Sequence, residues 1–198
     1  MIRVSLTDFV DIVSKSGTPK ATKVAQVKKR GRYEPAVDFY NPSAKLLLKF
    51  MQAKRLKKEI DAVIRGLTDR KKRENYPLII EGYKKWWGSK NFDWHEPQRT
   101  QYSANGVEII VNPELCLEFN GMRHLIKLYF KSEVLSKAKV VIITDLMELS
   151  LRNNCCDNEI MGVLDARNAK LIDYDGKPPA KHIIDAELAY IASIWASV

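Results

Sequence analysis

Glu114 and Lys127 are the residues whose types and spacing could do chemistry. They sit in "NPELCLEFNGMRHLIKLYFK", residues 112–131. Asn120-Gly121 is the strongest short hairpin signal, and a two-residue turn there fixes the register. Position 119 then faces 122, and paired positions sum to 241. Glu118 faces Arg123, Asn112 faces Tyr129, and Glu114 faces Lys127. A carboxylate beside a lysine on a sheet has two readings. One is a solvent-facing cross-strand ion pair, worth about 0.2–1 kcal/mol. The other is part of a phosphodiester-cleaving set. There carboxylates such as Glu114 and Glu81, in "LIIEGYKKW", hold Mg²⁺ through oxygen. The metal activates water, and Lys127 supports charge on the attacking or scissile group.

The elements that must position these residues are legible from periodicity. Leu6, Phe9, Val10 and Val13 recur at helical spacing, so 6–15 is a short helix. Thr18, Pro19 and Gly31 bracket a second helix over 19–30. Asn41-Pro42 opens a third, running to about Leu67. Tyr76, Ile79, Ile80, Tyr83 and Trp87 mark a fourth. After Gly88 the period shortens to two. "VEIIVNPELCLEF" alternates, with Val107, Ile109, Val111, Leu115, Leu117 and Phe119 on one side. "HLIKLYFK" puts His124, Ile126, Leu128 and Phe130 on one side and Leu125, Lys127, Tyr129 and Lys131 on the other. A helix over about 136–152, two short strands in "EIMGVLDARNAKLIDYDG" and a closing helix follow. The expected class is α/β (α+β): a basic helical N-terminal half packed on a small mixed sheet, in the order helix, three strands, helix, strands, helix. Residues 1–75 form the expected basic helical region and 76–198 the α/β core.

The order helix, three-strand meander, helix, strand, together with Pro113-Glu114, resembles the core of the PD-(D/E)XK nuclease superfamily, the restriction-endonuclease-like fold. The resemblance covers roughly residues 76–175. It implies a catalytic set of Glu81, Glu114 and Lys127, with Glu81 and Glu114 as metal ligands and Mg²⁺ as cofactor if the chain is catalytic. The superfamily pattern also asks for Asp or Glu two residues before the lysine. Leu125 stands there before Lys127, and Tyr129 before Lys131. Glu108 and Glu118 share the face of Glu114, but each lies about 13 Å or more along the strand.

Charge points to a partner. The chain of 198 residues carries net +9, unevenly distributed. Residues 1–90 hold 22 Lys+Arg against 9 Asp+Glu, whereas residues 91–198 hold 11 against 15. A basic half suggests an anionic partner, DNA or RNA. The candidate contacts are Lys20, Lys23, Lys28, Lys29, Arg30, Lys84, Lys85 and Lys131. "YKKWWGSK" mixes lysines with aromatics as single-strand binders do, yet Tyr83 and one tryptophan fit the apolar stripe.

Other chemistries are excluded by pattern. No phosphate-binding glycine loop, nucleophile elbow or HExxH motif occurs. His95, His124 and His182 lack ligand spacing, and His124 falls on the apolar side of its strand. Three cysteines without a CxxC pair argue against a disulfide framework and for a reducing compartment, the cytoplasm. No apolar run reaches 18 residues, so no membrane span is expected. Three functions follow as expectations. The first is nucleic-acid binding on a nuclease-like scaffold with an incomplete catalytic set. The alternatives are an active Mg²⁺-dependent DNA nuclease, and a protein-interaction or scaffold component binding an acidic partner. The oligomeric state is not legible.

Overall fold

The computed structural model describes residues 1–30, 69–155 and 158–198. The helix expected over 42–67, and Cys156, lie outside them. The chain opens with strand β1 (Ile2–Ser5), then helices α1 (Leu6–Val13) and α2 (Gly17–Arg30). Helix α3 (Arg70–Trp87) leads to β2 (Asp93–His95), β3 (Thr100–Ala104), β4 (Val107–Val111), β5 (Leu115–Phe119) and β6 (Met122–Tyr129). Helix α4 (Lys137–Leu151) carries the chain through a short 3-10 turn to β7 (Glu159–Asp165) and β8 (Lys170–Asp173). Helix α5 (Lys181–Ser197) closes the described chain. The expected α+β class holds.

The described strands form two mixed sheets. The smaller has the order β1-β4-β3, with β1 parallel to β4. The larger has the order β2-β5-β6-β7-β8. Its β6 and β7 are parallel, as a connection through a helix allows, and its other neighbours are antiparallel.

Residues 107–119 alternate as if they were one strand, but they are two. Val111 ends β4 in the small sheet and Leu115 begins β5 in the large one. Pro113 between them has no N–H to give to a ladder, so the chain changes sheets there. Val111 and Leu115 accordingly lie in different apolar clusters. Strand β1 is also unexpected. Its four residues precede a strong helix signal and gain their partner only from β4, a hundred residues on.

Helix α3 starts earlier than its apolar stripe. Asp69 accepts the Lys72 N–H at 2.8 Å and caps a first turn made of Arg70, Lys71, Lys72 and Arg73. The 75/76 boundary therefore falls inside α3. Residues 1–30 share their core with the C-terminal half: Phe9, Ile12 and Val24 pack in one cluster with Ile109, Ile143, Leu146 and Leu188.

Both faces of the large sheet are covered. Leu115, Leu117, Ile126 and Leu128 meet Ile79, Ile80 and Tyr83 of α3. Cys116, Leu125, Tyr129 and Met161 point the other way, toward Val140, Ile143 and Met147 of α4. No described helix is long and apolar enough to cross a membrane.

Candidate functional site

The hairpin register is the one the Asn-Gly turn dictates. Leu115 pairs with Ile126, Cys116 with Leu125, Leu117 with His124 and Glu118 with Arg123. The ladder continues one residue past β5, because the Glu114 N–H donates to the Ile126 carbonyl at 3.0 Å. Glu114 is thereby set beside Lys127. The pair does not face solvent. Lys127 belongs to the sheet face beneath α1 and α4, and its side chain is 8% exposed against 18% for Glu114.

Every donor of the ammonium is used. Lys127 Nζ donates to Glu114 Oε1 at 2.5 Å, to the Asn112 carbonyl at 3.1 Å and to Asn112 Oδ1 at 3.3 Å. An ammonium has three N–H groups, so three oxygens satisfy it. The other carboxylate oxygen, Glu114 Oε2, accepts the Leu128 N–H at 2.8 Å. Asn112 was not expected in this site. It is placed there because the chain leaves the ladder at Pro113 and folds back over the lysine. A cavity of about 20 Å³, lined by Leu6, Thr7, Asp11, Lys127, Lys131 and Ile143 among others, adjoins it. That is room for one water.

Glu81 does not join the pair. Helix α3 covers the opposite sheet face, and the Glu81 side chain is 69% exposed, bonded to Lys84 at 3.3 Å. Glu118 is held by Arg123 and His95, at 3.3 and 3.1 Å. Glu108 pairs with Arg3 at 2.8 Å in the other sheet. Among the described residues, no group of three or more His, Cys, Asp or Glu side chains is placed to hold a metal ion. The residues present therefore do not fit the Mg²⁺ site that the resemblance implied. One carboxylate is available, and both its oxygens already accept hydrogen bonds. Nor is there room to add the missing carboxylate in place: Leu125 is 1% exposed, within the core.

The basic residues are largely committed within the molecule. Lys20 pairs with Glu187 of α5. Lys23 and Lys131 share Asp11, the former at 3.3 Å. Lys28 Nζ donates to the Trp195 carbonyl at 2.8 Å and to that of Val198. Arg30 meets Asp8 at 2.5 Å. These contacts fasten α2, which buries only Val24 and Val27, to α1 and α5. Lys84 turns to Glu81, whereas Lys29 and Lys85 are exposed. The aromatics of "YKKWWGSK" also turn inward. Tyr83 and Trp86 are buried, and Trp86 stacks on Phe92 with ring centroids 5.2 Å apart.

His124 is a core residue, stacked on Phe119 at 4.3 Å between centroids. Burial holds its pKa below the ordinary value, partly offset by Asp173. Sequence reasoning missed Asp11, which gathers Lys23 and Lys131 from distant segments, and Asp145, which accepts the Ala180 N–H at 2.9 Å as α5 begins. Burial raises the Asp145 pKa, and that N–H opposes the shift. Neither residue has a local sequence signal, since each partner comes from elsewhere in the chain. Comparison with protein-family models, with curated proteins and with solved structures finds no match for this chain.

Proposed function

We propose that the chain is a nucleic-acid-binding protein on a restriction-endonuclease-like scaffold, with a site that does not cleave. The observation that carries this reading is the Glu114–Lys127 pair at the sheet crossing. It is embedded in a sheet in which the parallel neighbours β6 and β7 are joined through α4. Setting aside β3 and β4, which pair in the other sheet, α3, β2, β5, β6, α4 and β7 follow the helix, three strands, helix, strand order that the resemblance implies, which supports this reading. Hydrogen-bond saturation supports the absence of cleavage: an ammonium with all three donors engaged has none to offer a scissile phosphate. The net +13 of residues 1–90 supplies attraction for a polyanion. Cys116 and Cys155 as thiols suit a reducing compartment, and the cytoplasm is the proposed location.

The test is a binding titration of labelled duplex DNA, single-stranded DNA and RNA at rising salt, with a cleavage assay in Mg²⁺ and Mn²⁺ alongside. Binding with a log–log salt slope of several units and no cleavage is the expected result. Undetectable affinity at low salt ends this reading. Mg²⁺-dependent cleavage abolished by Glu114→Ala would replace it with an active nuclease.

One observation favours a second reading, a scaffold component that docks an acidic protein. Six of the eight candidate contacts are engaged within the molecule, so the charge of α2 serves packing first. Salt-sensitive capture of an acidic protein without nucleic-acid affinity would select it.

A further inference from the structure

Glu114 and Asn112 present a carboxylate, a main-chain carbonyl and a side-chain amide oxygen to one point inside the protein. These are the oxygen types that hold hard cations. The point is occupied by the Lys127 ammonium, at 2.5, 3.1 and 3.3 Å. The Asn112 carbonyl stands at an ordinary N–H···O distance, with the Glu114 oxygen closer and Asn112 Oδ1 just beyond it. All three distances exceed the roughly 2.0–2.1 Å that Mg²⁺ demands, and two of the three exceed the about 2.3–2.6 Å of Ca²⁺. The carboxylate is oriented for this occupant by its second oxygen, held on the Leu128 N–H. The lysine stem runs along a sheet face packed by α1 and α4, so the ammonium cannot swing to solvent without dragging its methylenes out of the core.

We propose that Lys127 is the resident cation of this site, its ammonium filling the Glu114–Asn112 oxygen cradle where a metal ion would otherwise be needed. The cradle is thus selective for a primary ammonium over a divalent metal. The inference concerns the cradle alone and stands whether or not the chain binds nucleic acid.

Thermal unfolding of the full chain tests it. Wild-type protein is heated with Mg²⁺, Ca²⁺ or propylammonium, each against KCl of equal ionic strength, and no cation shifts its Tm. Lys127→Ala removes a propyl stem and the ammonium and leaves the carboxylate uncompensated. Propylammonium then restores stability saturably. At a concentration a hundred times its Kd, the Tm rises by about 5–10 °C. Mg²⁺ does less. Lys127→Met fills the stem's space without charge and does not respond to propylammonium. A saturable Mg²⁺ or Ca²⁺ shift in the wild type would overturn the proposal. So would a Lys127→Ala variant that folds but ignores propylammonium. If that variant does not fold under any condition, NMR of the ¹⁵N-lysine-labelled wild type decides. The Lys127 ammonium protons should exchange far more slowly than those of exposed Lys85, and equal exchange would refute the resident-cation assignment.

Discussion

Gly82→Ala is the sharpest test of how the sheet is seated. A Cβ at Gly82 would stand 2.0 Å from the Ala166 carbonyl oxygen, 2.5 Å from that of Arg167 and 2.8 Å from the Arg167 carbonyl carbon. All three obstacles are backbone, so no rotamer change relieves them. The turn they belong to is itself pinned. The Ala166 N–H donates to Tyr129 at 3.1 Å, and Arg167 reaches the Phe130 carbonyl at 2.7 Å and Asn75 at 2.5 Å. Helix α3 must therefore back away by about 1 Å or more, loosening Ile79, Ile80 and Tyr83 from the sheet. Overpacking of this kind costs about 1–3 kcal/mol and occasionally more. Opposing it, Gly to Ala in a helix interior gains about 1 kcal/mol. With backbone as the obstacle the cost lies at the upper end, leaving a net loss of about 2 kcal/mol. For a chain of this length that lowers Tm by about 4–8 °C. Urea unfolding with circular dichroism reads it, with the m-value checked for a two-state transition. A Gly82→Ala protein as stable as the wild type, or more so, would mean that α3 gains propensity without meeting the β7–β8 turn. The seating of α3 described above would then be wrong.

Lys28→Ala should cost about 1 kcal/mol of stability, because Lys28 satisfies carbonyls at the C-terminal end of α5, and should leave the salt slope of any nucleic-acid binding unchanged. His124 has a folded pKa depressed below its unfolded value of about 6.5, so the unfolded chain takes up the proton first as pH falls. Stability is full above pH 6.5 and declines below it; denaturation midpoints from pH 8 to 5 should show this slope, reduced in His124→Phe. Burial, with a bond to Glu159, pushes the Cys155 thiol up to about 12. Iodoacetamide at neutral pH should therefore modify it roughly a thousandfold more slowly than an ordinary cysteine, read by peptide mass spectrometry.

Much of the hairpin was legible because it is local. Asn120-Gly121 dictates a turn, the turn dictates the register, and the register brings Glu114 to Lys127 with no knowledge of the rest of the fold. The environment of that pair was not legible. Whether Leu125, Lys127 and Tyr129 face water depends on α4 and α1 arriving over them, and those contacts are set by segments far away in sequence. The same limit explains β4 and β5. Period-two alternation is satisfied equally by one long strand and by two strands in different sheets, and only Pro113 marks the break. Glu81 shows the converse failure. It is four or fewer residues from Ile79, Ile80 and Tyr83, which do face the sheet, yet 3.6-residue periodicity turns it outward.

Net charge is a property of composition, and a binding surface is a property of placement. The excess in residues 1–90 looks like a polyanion footprint only if its cations are free. In α2 they are not. A helix with two buried valines is a weak packing element, and ion pairs to Asp8, Asp11 and Glu187 hold it where apolar contact does not suffice. Asp11 takes two lysines, so that corner keeps one positive charge rather than two. On α3, Arg70 and Lys84 pair with Glu74 and Glu81, which engages two of its six cations. The cations left over are Lys15, Lys29, Lys71, Lys72, Arg73 and Lys85, together with residues 31–68, which hold eight Lys+Arg against four Asp+Glu and lie outside the described residues. A polyanion that binds this chain must be read by that remainder. The number of phosphates it engages, and hence its salt slope, is then set by these residues rather than by all 22 Lys+Arg of residues 1–90.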